Sequence, residues 1–165
     1  MENILRAEKF ISEEWILEKY DLYKNMLFQI AFSYLGNKYD CEDVIQEAFI
    51  KLCYHSPEFD NNEHEKRWLI RVTINLCINN LRSFWNRKNV SIDGLEEYFS
   101  SDEEIGIMSD IINLPEKYKT VILLHYISGY RISEISEIMN LSESAVKMRL
   151  KRGREKLKIE LEGLI

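Results

Sequence analysis

Proline and glycine are scarce, with two prolines and six glycines in 165 residues. No stretch alternates convincingly between apolar and polar residues. A chain so poor in turn formers is not a sandwich or barrel of many short strands, and an all-helical chain is expected. Cysteine is scarce as well. Cys41, Cys53 and Cys77 are odd in number and form no CxxC pair, which argues against a disulfide framework and for a reduced interior. Cys53 and His55 lack a partner pair at ligand spacing, so no metal site is expected. His55, His64 and His125 are scattered, and no phosphate loop or nucleophile pattern accompanies them. Neither catalysis nor a cofactor is expected. No run approaches the roughly 20 apolar residues of a membrane helix. Residues 1–19 carry acids throughout rather than a signal-peptide core. The expectation is a soluble, cytoplasmic protein.

What is present is helical periodicity. Ser12 suits an N-cap, with Glu13 and Glu14 favouring the positive end of the helix dipole. Trp15, Leu22, Met26, Ile30 and Tyr34 then recur at helical spacing, and Gly36-Asn37 is a stop signal. A second helix, with Asp40 as its expected cap, runs to about Tyr54. After the loop signals Ser56-Pro57 and Asp60-Asn61-Asn62, a third runs from about Glu65 to Asn86, with Trp68, Leu69, Val72, Leu76 and Leu81 as its apolar stripe. Residues 1–88 are therefore read as a three-helix bundle. Residues 89–110 look like a linker, although Ser101 and Glu104 form a capping-box pattern that begins a short helix through Ile112. Residues 111–165 form a second helical domain. Pro115 suits the first turn of a helix that Gly129 ends.

The net charge of −6 is unevenly placed. Asp93, Glu96, Glu97, Asp102, Glu103, Glu104 and Asp110 lie in 91–110 without a lysine or arginine. Without those seven acids the balance would be +1. Between 141 and 158, Lys147, Arg149, Lys151, Arg152, Arg154, Lys156 and Lys158 face only Glu143 and Glu155. The short helix 132–139, the break Asn140-Leu141-Ser142 and this basic helix form a helix-turn-helix pattern, whose second helix enters a DNA major groove. An acidic total nevertheless argues against a strong autonomous DNA binder, because phosphate contacts supply most non-specific affinity.

The second helix reads Asp40-Cys41-Glu42-Asp43-Val44-Ile45-Gln46-Glu47-Ala48-Phe49-Ile50-Lys51-Leu52. Val44, Ala48 and Leu52 can face inward. Asp43, Gln46, Glu47 and Ile50 share another face, polar with an apolar centre. Periodicity by itself does not separate a partner surface from a solvated one. The motif, however, closely resembles the core-binding helix of bacterial RNA polymerase sigma factors, above all the two-domain extracytoplasmic-function group. The resemblance implies that this helix grips the clamp coiled coil of the largest polymerase subunit. Asp43, Gln46 and Glu47 would be its polar contacts, with Phe49 in the same face or at the core edge and Ile50 beside them. Cys53 stands where the family often has tryptophan.

The third helix, with Arg67-Trp68-Leu69 and Asn75, is similar to the family's promoter-melting helix. Melting requires the capture of unstacked bases, so aromatic, amide and basic groups should share a surface. Trp68, Asn75, Asn79 and Asn80 suit bases, while Arg71, Arg82, Arg87 and Lys88 suit phosphates. The resemblance implies that the preceding loop, residues 59–66, pockets a flipped base of the minus-ten element. It adds Asn61, His64, Lys66 and Arg67 to the candidates. Here the loop is acidic and rich in amides, where family members usually have a basic, glycine-containing start.

The segment from Leu114 to Leu157 looks like the family's minus-thirty-five-binding domain. Ile135, Ile138, Leu141, Val146, Leu150 and Leu157 are its expected core, with Ser136 and Gly153 small at helix crossings. Ser142 caps the recognition helix. Ser144, Ala145, Lys147, Met148 and Arg149 should reach base edges, Arg149 being the best candidate for a bidentate contact. Lys151, Arg152, Arg154 and Lys156 are read as phosphate neutralisers. Asn140 replaces the usual turn glycine, and Arg131 replaces a serine cap. The resemblance implies an initiation factor that binds core RNA polymerase, recognises both promoter elements and assists melting. An anti-sigma protein is a further partner it implies. An autonomous helix-turn-helix regulator, dimeric on a palindrome, is the alternative at this point. The acidic linker is either a nucleic-acid mimic threading the polymerase cleft or a spacer.

Overall fold

The computed structural model describes residues 12–83 and 90–157, with only the backbone described for Arg82 and Ser83. Arg87, Lys88 and Lys158 lie outside the described residues, as does the side chain of Arg82. All regular structure among the described residues is helical.

Helix α1 is Glu13–Leu35. Ser12 Oγ accepts from the Trp15 N–H at 3.1 Å, and Gly36 ends the helix at φ 76°, donating to Phe32 O at 3.0 Å. Glycine takes this left-handed conformation without a Cβ penalty. The second half of α1 is buried on nearly all sides because four helices surround it. Leu22, expected on the inward stripe, is 61% exposed. The inward stripe instead passes through Tyr23, Leu27, Ile30, Ala31 and Tyr34.

Helix α2 is Lys38–Tyr54, and its cap is Asn37 rather than Asp40. Asn37 Oδ1 accepts from the Asp40 N–H at 2.9 Å, so Asp40 already lies in the first turn. Helix α3 is Asn62–Ser83 and starts three residues before the expected Glu65. The reason is local: Asn61 Oδ1 accepts from the His64 N–H at 2.9 Å. The buried face of α3 is also turned from the expected one. Leu69, Ile70, Thr73, Ile74 and Cys77 are buried, whereas Trp68, Val72, Leu76 and Leu81 are only half-buried. Packing of α3 against both α1 and α2 selects that face.

The acidic connector is amphipathic in a way its charge concealed. Gly94, at φ 75°, leads into a 3₁₀ turn, Leu95–Glu97. Leu95, Tyr98 and Phe99 are buried while Glu96 and Glu97 face solvent. Tyr98 stacks on Phe28 of α1 at 3.7 Å between ring centres, and Phe99 meets Phe28 and Phe32 edge-on. Helix α4, Asp102–Ile112, follows. Ser101 Oγ caps the Glu104 N–H at 3.1 Å, but Glu104 reaches back to Ser100 rather than completing the box on Ser101. Ile105, Met108, Ile111 and Ile112 are buried, and α4 packs on α1.

Helix α5, Glu116–Ile122, begins after Pro115 and widens into a π turn, Leu123–Ile127, so the single helix expected over 114–129 changes pitch midway. Gly129 ends it at φ 77°. Helix α6 is Ile132–Met139 and helix α7 is Glu143–Leu157. Between them Asn140 adopts the left-handed conformation at φ 52°, as asparagine tolerates. Ser136 Oγ donates to Leu141 O and ties the turn shut. Arg131 offers no capping oxygen. Glu134 supplies the cap instead, accepting from the Arg131 N–H at 3.1 Å. Gly153 crosses α5 so closely that a Cβ there would lie 2.8 Å from Ile122 Cγ1. The apolar residues of both halves form one continuous core.

Candidate polymerase and nucleic-acid interfaces

Three surfaces gather the residues expected to function. The first is on α2. Asp43, Gln46 and Glu47 are exposed, and Ile50 is 49% exposed at the centre of their face. Phe49 is buried at the core edge, its ring edge-on to Tyr20 at 5.3 Å. Beside this face lies a groove of about 620 Å³, floored by Ile16, Tyr20, Ile45, Phe49, Ile50 and Cys53 and rimmed by Glu42, Gln46 and Glu97. Tyr54, 72% exposed, extends the apolar strip from Ile50. Sequence reasoning passed over Tyr54, although its i+4 spacing from Ile50 was a usable signal. Ile16, Tyr20 and Tyr98 gave no such signal, because only tertiary packing brings them to α2.

The connector is fixed to this surface. Tyr98 donates from its hydroxyl to Glu42 Oε1 at 2.9 Å, and Lys38 Nζ lies 3.1 Å from Glu97 and 3.8 Å from Glu42. Burial first, and then the Glu42 carboxylate, push the Tyr98 phenol well above its ordinary pKa. Tyr98 therefore donates at any neutral pH.

The second surface is on α3. Arg71, Asn75 and Asn79 are exposed and form a row at i, i+4, i+8, with Asn80 half-buried beside them. Asn61 and His64 are exposed, but both take part in building the loop. Asn61 caps α3, and His64 Nδ1 accepts from the Asp60 N–H at 3.3 Å. Phe59 packs edge-on against both His64 and Trp68. His64, Trp68, Arg71, Val72 and Asn75 line a cleft of about 380 Å³ together with Arg67. Its far wall is Glu137 and Ile138 of α6, which sequence reasoning assigned to the other domain.

Arg67 is committed within that cleft. Its Nη1 lies 2.8 Å from Glu137 Oε2, its Nη2 3.1 Å from Glu134 Oε2, and its Nε 3.3 Å from Glu63. Partial burial opposes its charge, but the bonds from Glu137 and Glu63 outweigh it, so the guanidinium is held above its ordinary pKa. Lys66 Nζ sits over the Tyr130 ring at 4.9 Å, a cation–π contact.

The third surface is on α7. Ser144, Lys147, Met148, Lys151, Arg152 and Arg154 are exposed, while Ala145 and Arg149 are half-buried. Ser142 Oγ accepts from the Ala145 N–H at 3.1 Å, the expected cap. Arg154 donates to the Tyr126 hydroxyl at 2.6 Å. Partial burial raises the Tyr118 phenol, but hydrogen bonds from Lys117 and Arg152 bring it below its ordinary value. Arg149 does not point freely outward. It lines a cleft with Ile74 and Ile78 of α3, Tyr34 of α1 and Glu116. Among the described residues no group of acids, histidines and cysteines could hold a metal. No described helix is long and apolar enough to cross a membrane.

A helical bundle with a polar, partner-type face, joined through an acidic connector to a helix-turn-helix whose second helix is strongly basic, defines a two-domain transcription factor of the initiation type. Comparison with known proteins agrees. Residues 20–87 match the family model of sigma-70 region 2, and residues 111–157 match that of sigma-70 region 4. The ECF RNA polymerase sigma factor SigW of Bacillus subtilis (strain 168) is 34% identical over 163 residues, with 87% of each chain covered. SigM of the same organism is 29% identical over 153 residues, covering 86% of this chain and 91% of SigM. A solved structure of CnrH in complex with the cytosolic domain of CnrY superposes with a TM-score of 0.69 at 25% identity, covering 98% of this chain and 97% of that one. The chain belongs to the extracytoplasmic-function group of RNA polymerase sigma factors and directs promoter-specific transcription initiation.

Proposed function

We propose that the three surfaces divide the work of this sigma factor between them. Residues 1–88 form the core-binding and minus-ten domain, 89–110 the connector, and 111–165 the minus-thirty-five domain. Asp43, Gln46, Glu47 and Ile50 contact the clamp coiled coil of the largest polymerase subunit, with Phe49 shaping the face from beneath. Asn61, His64, Lys66, Arg67, Trp68, Arg71, Asn75, Asn79, Asn80 and Arg82 handle the melted minus-ten strand. Ser142, Ser144, Ala145, Lys147, Met148, Arg149, Lys151, Arg152 and Arg154 read the minus-thirty-five element. The protein acts in the cytoplasm, as an initiation factor and not as a catalyst. The solved complex of CnrH with the cytosolic domain of CnrY supports a regulatory protein partner of the anti-sigma kind for this chain.

The observation that carries the reading is the α2 face. Three polar side chains there surround a half-exposed isoleucine on a helix whose other side is fully buried. A purely solvated face has no need of that apolar centre. The test is run-off transcription with purified core polymerase on a pool of genomic promoter fragments. New discrete transcripts are expected with the wild-type chain and are lost with Gln46→Ala/Glu47→Ala, while thermal stability stays unchanged. Transcripts that persist in the double variant would remove α2 from the polymerase contact. Tight binding to a palindrome by the chain alone, without transcripts, would favour the autonomous regulator.

A further inference from the structure

Arg154 of α7 is held by a neutral partner, the hydroxyl of Tyr126, which belongs to a different helix. Resting on the minus-thirty-five assignment above, we propose that Tyr126 and Arg154 form one composite site for a backbone phosphate of the promoter, on the flank of the recognition helix. Tyr126 positions the guanidinium and adds its own hydroxyl proton to the site.

The local geometry follows from one small residue. Gly153 has no side chain, and a Cβ there would lie 2.8 Å from Ile122 Cγ1 and 3.4 Å from Tyr118 Cβ. This close crossing sets Arg154 beside the end of α5. Past Ile122 the helix widens into the π turn Leu123–Ile127, a departure from α geometry that recurs at functional sites. Tyr126 lies within that turn, and its hydroxyl accepts from Arg154 Nη1 at 2.6 Å. The Tyr126 ring is braced in turn. His125 meets it edge-on, 4.9 Å between ring centres at 80°. His125 is itself fixed, donating through Nδ1 to Tyr130 O at 2.9 Å.

The chemistry of the pair separates Arg154 from the arginines that are bonded to acids. Arg67 meets Glu63, Glu134 and Glu137, and Arg131 meets Glu134, so carboxylates offset both charges. Among the described residues no carboxylate bridges Arg154. A phenol oxygen restrains a guanidinium without cancelling its charge. The restraint removes part of the rotamer entropy that a free arginine loses on binding. The charge stays available to an anion. Arg154 keeps Nε and Nη2 as donors, and Tyr126 keeps its O–H, because a lone pair serves the bond between them. Donors from two helices gathered at one positive charge fit the oxygens of a phosphodiester.

The site is also in the right place. Val146, Leu150 and Gly153 form the buried side of α7. Lys147, Lys151 and Arg154 follow one another on an exposed flank at i, i+4 and i+7. The composite site therefore ends a row of cations along about 10 Å of helix. A helix lying in the major groove has a phosphate strand along such a flank, where contacts fix register without reading sequence.

The test uses Tyr126→Phe, Arg154→Gln and the double variant in the full chain, each reconstituted with core polymerase. Fluorescence anisotropy over a salt series follows binding to a labelled promoter fragment that yields a run-off transcript. Arg154→Gln should weaken binding and reduce the slope of log affinity against log salt by about 0.9, the loss of one phosphate contact. Tyr126→Phe should weaken binding at least about threefold although every charge remains. In the Arg154→Gln background the same change should have a smaller effect, because the site is already broken. A purely structural role for Tyr126 would give the same factor in both backgrounds, and that result overturns the proposal. Wild-type affinity in Tyr126→Phe, or an unchanged slope in Arg154→Gln, overturns it equally. Lys151→Gln reads the minus-thirty-five assignment separately. If it lowers the slope and Arg154→Gln does not, the composite site alone falls. If neither lowers it, α7 is not on the DNA and the assignment falls as well.

Discussion

Replacing Tyr98 tests whether the acidic connector is docked in solution as firmly as its contacts imply. Its ring is 4% exposed and lies 3.7 Å from Phe28 at an interplanar angle of 1°. Its carbonyl accepts from Gln29 Nε2 at 3.2 Å, and its hydroxyl donates to Glu42. Removing a buried aromatic side chain costs about 3–5 kcal/mol, of which about 0.5–1.5 kcal/mol reflects the ring–ring geometry. Tyr98→Ala should therefore lower unfolding free energy by about 3–5 kcal/mol. Tyr98→Phe keeps the ring and loses one hydrogen bond. Because the Glu42 side chain is 45% exposed and rehydrates readily, that loss should be only about 0.5–1 kcal/mol. Urea unfolding followed by far-ultraviolet circular dichroism measures both. The cycle Tyr98→Phe/Glu42→Ala isolates the bond, and its coupling should match the single Tyr98→Phe loss. A cost below about 0.5 kcal/mol for Tyr98→Ala would show that the connector is a free spacer and would refute the reasoning.

Other perturbations probe the second domain. Gly153→Leu drives a side chain into Ile122 and Tyr118, and thermal melting should show a loss of about 1–3 kcal/mol from overpacking, beyond any gain in helix propensity. Asn140→Val puts a β-branched residue at φ 52° and should destabilise by roughly 1–2 kcal/mol, while Asn140→Gly should be close to neutral in the same melt. The Glu134 carboxyl is held below the usual value of 4.5, first by the Arg131 backbone N–H and then by the Arg131 side chain. Its contribution is present above that value and is lost as pH falls through the depressed folded value, so stability in urea unfolding should fall on this account only below about pH 4.5. Glu134→Gln should remove that part of the pH dependence, and an unchanged profile would mean that Arg131 does not hold the Glu134 carboxylate.

Much of this protein was legible along the chain. Gly36, Gly129, Asn140 and the caps Ser12, Ser101 and Ser142 end and start helices through hydrogen bonds within a few residues, so local sequence carries them. The α2 face was equally legible, because one helix places Asp43, Gln46, Glu47 and Ile50 together whatever surrounds it. Asn37 in place of Asp40 and Asn61 as the cap of α3 were near misses of the same local kind, decided by which of several adjacent amides reaches the first free N–H.

What tertiary structure decided lies between elements. The acids of 91–110 read as a linker because charge counts every side chain alike. The fold separates them, sending Glu96 and Glu97 to solvent and Leu95, Tyr98 and Phe99 into the core beside Phe28 and Phe32. The turned face of α3 follows from being packed by two helices at once, a constraint that one helix's periodicity does not contain. The meeting of Arg67 with Glu134 and Glu137, some seventy residues away in sequence, is of the same kind. Sequence by itself determined the helices, the basic recognition helix and the membership of a family. The meeting of α3 with α6 depends on contacts distant in sequence, and only the packed chain determined it.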